Sequence, residues 1–427
     1  MTATPPPASP GPYQPDSRYA VLRLMVTLAL MATGAAGMYV VAVVLPQVQA
    51  EFQVSRGDAS LAYTAMMIGY GVGGIVMGRL ADRFGITVPL LLGGVSLGVG
   101  FIMAGMAGSI WGFVIAHGVF IGMLGSSSTF APLLADTSLW FVRRRGIAVA
   151  VCASGNYLGG ALWPPLVQHT VAAVGWRQTY IGIGVMSMVV MCGLALMMRQ
   201  RPPLPPAPPR GQTAAARGMA LPFGMTTGKA QFLLCIAGVG CCVAMAMPQV
   251  HIVAYCGDLG YGAARGAEML SLMLACGIVS RLVSGAICDR IGGLRTLLLG
   301  SALQSVALLL FLPFDGMASL YVIAALFGLF QGGIVPSYAI IVREYFPASE
   351  AGARVGAVIM ATMIGMALGG WLSGKIFDLT GSYHAAFVNG IAWNLLNLSI
   401  ALYLLRRVIR IKKAAYPARL GSGSACN

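Results

Sequence analysis

The sequence predicts an all-α integral membrane protein, with twelve transmembrane helices in two pseudo-symmetric bundles of six. Three observations lead there. Of 427 residues, 58% are hydrophobic and only 9% are charged, whereas a typical soluble domain carries about 25% charge. No globular surface can be made from so few charges, which excludes a water-soluble enzyme. The apolar residues fall into twelve runs, and twelve spans of about 20–25 residues would use roughly 240–300 residues. The last six runs also echo the first six at an offset near 206 residues.

In chain order, residues 1–17 (MTATPPPASPGPYQPDS) are proline-rich with no apolar face, and are expected to form a disordered tail. The first apolar run, 20–46, is too long for the core of a cleavable signal and is expected to remain as helix 1. Helix 2 is expected at 59–80, running into the loop Gly78–Gly85, and helix 3 at 87–107. Helix 4, at 110–138, is followed by Trp140-Phe141 and three arginines. Helix 5 spans 145–169, and helix 6, at 175–198, is entered through Gly175-Trp176-Arg177. Residues 199–228 form a basic, proline-rich linker between a first bundle (18–198) and a second (229–406). Helices 7 to 12 are expected at 230–255, 264–288, 294–313, 318–342, 354–377 and 383–406, before a basic tail at 407–427.

The net charge is +15, from 27 Lys+Arg against 12 Asp+Glu. In a soluble chain that balance would suggest nucleic acid, but the loops explain it better. With both termini in the cytoplasm, 22 of the 27 cations lie on the inner side, and four lie outside: Arg56, Arg177, Arg265 and Lys375. The basic excess therefore reports topology through the positive-inside rule, and no nucleic-acid partner is implied. One cation, Arg281, belongs to neither side.

Several patterns resemble catalytic motifs without their context. Gly69-Tyr70-Gly71-Val72-Gly73-Gly74 fits the dinucleotide fingerprint, but lies inside an apolar helix with no preceding strand. Gly94-Val95-Ser96-Leu97-Gly98 fits the nucleophile elbow, again in mid-helix. Both read better as seams of small residues where helices approach closely. Nine cysteines form no Cys-x-x-Cys, and the four histidines (His117, His169, His251, His384) are dispersed. No metal, cofactor or disulfide is expected.

The two halves repeat at particular motifs. Gly78-Arg79-Leu80-Ala81-Asp82-Arg83-Phe84-Gly85 recurs as Gly285-Ala286-Ile287-Cys288-Asp289-Arg290-Ile291-Gly292, and Trp140-Phe141 recurs as Tyr345-Phe346. Such halves, with a substrate site between them at mid-membrane, are common in secondary transporters. The Gly78–Gly85 segment resembles the helix 2–3 loop signature of the major facilitator superfamily (G-x-x-x-D-[RK]-x-G), and the second copy sits where that family's weaker repeat sits. The resemblance covers about residues 20–410. It implies that Asp82, Arg83, Asp289 and Arg290 act in gating, as a latch on the inner side.

Arg281 lies well inside helix 8, eight residues before Asp289 and so about 12 Å from that end. An arginine at such depth costs at least roughly 2.5–3.5 kcal/mol, and is tolerated when it faces a watery cavity or a counter-ion. Glu268 lies about 20 Å away along the helix, and Asp136 is near the arginines at 143–145, so no acid is available at its depth. An unpaired central guanidinium suits a substrate carboxylate. Supporting candidates are Tyr338 at similar depth in helix 10, Tyr39 in helix 1 and Asn156 in helix 5. His251 in helix 7 is the candidate for carrying a proton.

Arg281-x-x-x-Gly285-x-x-x-Asp289 resembles helix 8 of the branch that holds monocarboxylate transporters and oxalate–formate antiporters. Trp140–Ala148 and Gly370–Tyr383 also resemble that branch. On this resemblance Arg281 binds the substrate carboxylate. The pattern departs at three points: Tyr39 stands where animal monocarboxylate carriers have a lysine, Gly277 where they have an aspartate, and helix 11 lacks the second cation of the oxalate antiporters. One central positive charge favours a monocarboxylate.

The expected function is secondary active transport of small, lactate- or pyruvate-like monocarboxylates by alternating access, with proton symport implied by the resemblance. The alternatives are a carboxylate antiporter, a drug exporter and a transporter-like sensor. Drug export is disfavoured because Gly160 occupies the proline position of the antiporter motif in helix 5. The expected setting is the plasma membrane, of a bacterial inner-membrane type, with a monomer working in the lipid bilayer on a small organic anion and protons.

Overall fold

The computed structural model describes residues 15–143, 145–200, 222–347 and 350–415. Residues 1–14 of the N-terminal tail, 201–221 of the linker, 416–427 of the basic tail and Arg144 lie outside the described residues.

Among the described residues twelve helices are long and apolar enough to cross a membrane, and none forms a strand. Helices 1 to 6 are Arg18–Phe52, Arg56–Phe84, Thr87–Gly105, Ile110–Trp140, Gly146–Val174 and Trp176–Met197. Helices 7 to 12 are Thr227–Asp258, Ala263–Ile291, Gly293–Leu310, Met317–Tyr345, Ala351–Thr380 and Tyr383–Ile411. Hydrocarbon offers no partner for a backbone N–H or C=O, so a chain this apolar satisfies them within helices. Large apolar side chains such as Val21, Ile75, Val189, Val283 and Val322 are left exposed on the outside, as a lipid-facing surface requires.

The packing repeats with a period of six helices. Helix 1 packs on 5, 2 on 4 and 3 on 6, and likewise 7 on 11, 8 on 10 and 9 on 12. The two bundles meet where helix 2 packs on 11, helix 5 on 8 and helix 1 on 7. Because the number of spans is even, the N-terminal end of helix 1 and the C-terminal end of helix 12 share a face. We call it the terminal side, and the opposite face the far side.

The glycine patterns are packing seams. A Cβ at Gly69 would lie 3.0 Å from the backbone N of Met123 in helix 4, and one at Gly98 would lie 2.7 Å from the Met188 Cβ in helix 6. Either would push the helices apart. Asp136 of helix 4 has its partner in another helix. It pairs with Arg23 of helix 1, whose Nε and Nη2 each donate to it at 3.1 Å in a buried site.

Several helices outrun their hydropathy. Helix 1 continues to Phe52, and helix 2 begins at Arg56, where Ser55 accepts the Asp58 backbone N–H at 3.1 Å. Polar caps end these helices, whereas hydropathy marks only the part immersed in hydrocarbon. Three helices are broken near the middle. Helix 1 changes course at Ala35, helix 4 passes through a wide turn at 116–125 and a tight one at 126–129, and helix 10 breaks at Gly332-Gly333. The hydroxyls of Ser126, Ser127, Ser128 and Thr129 cap carbonyls in and near the helix 4 break, Ser126 reaching Gly34 in helix 1 at 2.8 Å. These breaks surround the centre of the molecule.

Candidate substrate site

Helix 8 runs unbroken from Ala263 to Ile291 and holds Arg281 about 15 Å from its terminal-side end. The Arg281 Nη1 donates to the Ala153 carbonyl of helix 5 at 2.8 Å, and Nε to the Gly332 carbonyl at 3.4 Å. The second carbonyl is one that the break in helix 10 releases. The guanidinium also lies over the Tyr157 ring, 4.3 Å from its centroid. No carboxylate among the described residues forms an ion pair with it. Two backbone carbonyls and a ring thus fix the planar fork, while Nη2 makes no hydrogen bond among the described residues. A fork held in this way is pre-organised to take an anion.

Arg281 lines a cavity of about 80 Å³ between the bundles, several times what one water needs. Tyr39 and Asn156 line it too. Tyr338 lies elsewhere: it is fully buried in the second bundle, where its hydroxyl donates to Asn397 Oδ1 of helix 12 at 2.9 Å. Gly160, the position where the antiporter motif has proline, faces Tyr39 and Leu274. A Cβ there would lie 2.7 Å from the Tyr39 ring and 2.6 Å from Leu274, so helix 5 can approach helices 1 and 8 only as glycine.

Sequence reasoning missed Tyr157, Tyr70, Gln249 and a set of methionines in the lining. Gln249 was detectable as an amide within the apolar run Met245–His251 of helix 7, and its Nε2 donates to Gln331 Oε1 at 2.9 Å. The methionines carried no signal, because at helical spacing they read as ordinary core.

His251 does not line the cavity. Its Nε2–H donates to the Gly370 carbonyl at 2.8 Å and its Nδ1 accepts from the Tyr383 hydroxyl at 3.0 Å. That hydroxyl in turn accepts from Arg56 Nη1 at 3.1 Å. Arg56 also pairs with Asp258 through Nη1 and Nη2, and lies 4.0 Å from the Phe377 centroid. The backbone N–H groups of Arg56 and Gly57 both donate to Asp378, at 2.8 Å each, and Lys375 pairs with Asp58 at 3.0 Å. These contacts tie helix 2 of the first bundle to helices 7, 11 and 12 of the second, on the far side. All four cations assigned to that side are paired, since Arg177 meets Glu51 and Arg265 meets Glu268.

The terminal side is different. Asp82, Arg83, Asp289 and Arg290 are all exposed there, and none forms an ion pair among the described residues. Asp82 and Arg83 border an opening of about 630 Å³ between the end of helix 2, the loop after it and helix 4. Every hydrogen bond between the bundles lies at the level of Arg281 or farther out, among the described residues. The molecule is sealed on the far side and loose on the terminal side.

Comparison with known proteins agrees with this architecture. The sequence matches the Major Facilitator Superfamily over residues 26–318 and 269–421. It is 28% identical to monocarboxylate transporter 13 of Bos taurus, covering 77% of this chain and 75% of that one. It is 31% identical to monocarboxylate transporter 11 of Homo sapiens, covering 72% and 66%. The MFS-type transporter pynF of Aspergillus niger is 24% identical, covering 72% and 69%. Among solved structures, a bacterial homologue of the lysosomal transporter Spinster, inward-facing and occupied, superposes with a TM-score of 0.68 at 14% identity, covering 94% and 98%. The nucleoside transporter NupG gives 0.69 at 11% identity, covering 91% and 99%. With a twelve-helix fold and a family match along most of its length, the chain belongs to the Major Facilitator Superfamily, a family of membrane transporters and not of enzymes.

Proposed function

We propose that this transporter carries small monocarboxylates, of the size of lactate or pyruvate, together with protons by alternating access. The observation that carries this is Arg281: a guanidinium fixed by carbonyls, bordering a central cavity, with no carboxylate among the described residues to neutralise it. A bound carboxylate would accept from the free edge and cancel a charge that otherwise opposes dehydration of the site. Occupancy and occlusion are then linked, and the bundles rock around Arg281. Tyr39 and Asn156 contact the anion from helices 1 and 5, while Tyr338 supports the packing behind the site. The relatives named as monocarboxylate transporters support this choice of substrate class.

The terminal side is assigned to the cytoplasm by its arginines, in the plasma membrane, and the exposed Asp82, Arg83, Asp289 and Arg290 form the latch that closes that side in the alternate state. The proton is assigned to His251. In the far-side seal its neutral ring accepts the Tyr383 proton and donates to Gly370. Protonation turns Nδ1 into a donor, so Tyr383 can no longer donate to it, and adds a positive charge near Arg56 within reach of Asp258 and Asp378. Opening the seal frees Nδ1 from Tyr383 and admits the proton. The chain is proposed to work as a monomer.

The test is uptake of labelled lactate and pyruvate into proteoliposomes under an imposed pH gradient, acid outside. Symport predicts accumulation that follows the gradient without internal substrate. Uptake that strictly requires internal carboxylate would replace symport by anion exchange.

A further inference from the structure

The central cavity has two chemically different walls. Helices 5 and 8 supply Arg281, Asn156 and Tyr157, whereas helices 2 and 11 supply Met67, Tyr70, Ile359, Met363 and Met366. Met38 and Met245 of helices 1 and 7 and Val335 of helix 10 extend the apolar lining. Five methionines thus border a cavity that contains one cation. Met67 is fully buried and Met366 nearly so, and their thioethers offer polarisable surface that re-packs around different shapes and makes favourable contacts with rings. Polar groups on that side are few: the Tyr70 hydroxyl of helix 2 and the Gln249 amide of helix 7, which donates one N–H to Gln331.

We propose that the preferred substrate is an amphipathic monocarboxylate, with its carboxylate on Arg281 and an apolar chain or aromatic ring lying on the methionine wall. This rests on the carboxylate role of Arg281 and specifies the other end of the molecule. Burial of a methylene strengthens binding by roughly fourfold, so affinity rises along a series of acids until the wall is covered.

The experiment is calorimetric titration of the purified full chain in nanodiscs with acetate, butyrate, hexanoate, phenylacetate and hexanamide, with titrations into empty nanodiscs subtracted. Hexanoate is expected to bind more than a hundredfold tighter than acetate, from about fourfold per added methylene, with phenylacetate comparably tight. The ratio of hexanoate to acetate affinity should fall about tenfold in Met363→Gln and Met366→Gln, and stay within about threefold of the parent in Met363→Leu. The ratio is taken within one preparation, so partial unfolding of a variant does not shift it. Hexanoate within threefold of acetate, or an unchanged ratio in both glutamine variants, would overturn the methionine wall while leaving the Arg281 carboxylate site standing. Hexanamide binding as well as hexanoate would instead refute the carboxylate role and leave the apolar wall. Binding of none of the acids removes both.

Discussion

Replacing Arg56 by alanine is predicted to open the far side of the transporter. Its side chain carries the two-nitrogen pair with Asp258, a donation to the Tyr383 hydroxyl at 3.1 Å, a donation to Gln49 at 3.1 Å and a face against Phe377 at 4.0 Å. The Asp258 side chain is 36% exposed, so that pair is partly screened and is worth about 1 kcal/mol. The Tyr383 bond adds about 1 kcal/mol, and the contact with Phe377 about 0.5–1 kcal/mol. The Gln49 bond lies within the first bundle and does not count toward the seal. A loss of about 3 kcal/mol shifts the sealed-to-open ratio by about a hundredfold. The distance between spin labels at Gly108→Cys and Asp315→Cys, on far-side loops of opposite bundles, reads that ratio by pulsed electron resonance in a chain whose native cysteines are replaced. The parent should give one short distance, and Arg56→Ala a substantial second population at longer distance. Unchanged distances in the variant would show that the seal does not depend on this arginine.

Other outcomes follow from the same contacts. Gly374→Ala places a Cβ 2.9 Å from Gly57 Cα and 3.0 Å from the Arg56 carbonyl, so the same label pair should widen, whereas Gly182→Ala, with open space around it, should leave it alone. Arg23→Met strands the buried Asp136 carboxylate, 7% exposed, and should cost about 3–5 kcal/mol, seen as a lower melting temperature. Arg23→Met with Asp136→Leu should recover most of that loss, and a double variant no more stable than the single one would count against the pair. His251→Gln can still donate to Gly370 and accept from Tyr383 but cannot take up a proton near neutral pH. Its uptake should lose the response to a pH gradient, and a retained response would remove His251 as the proton carrier.

The membrane class, the span count and the central cation were legible because they rest on local composition and on one residue out of place. Arg281 stood out by its depth alone. The helix breaks were less visible, since Gly34-Ala35 and Gly332-Gly333 carry no helix-stopping signal of their own, and the break in helix 4 at Ser126–Thr129 is tied to helix 1 through Ser126 and the Gly34 carbonyl. The far-side seal was illegible for a related reason. Arg56 finds Asp258 and Tyr383 more than 200 residues away, so in the sequence it counted only as a topological charge. Tyr338 misled because depth along a helix does not say which face a side chain occupies; its face turns to Asn397 and the second bundle. The partner of Asp136 was illegible because Arg23 lies more than a hundred residues away in sequence.

The central claim is that Arg281 holds the substrate carboxylate, and binding of pyruvate to purified parent and variants tests it most directly. Removing one partner of a desolvated, hydrogen-bonded charge pair costs about 2–5 kcal/mol, so Arg281→Gln should weaken pyruvate roughly thirtyfold or more. Arg281→Lys keeps the charge but loses the fork, and should fall between the two. An Arg281→Gln protein that keeps the parent's melting temperature and binds pyruvate as tightly would contradict the account.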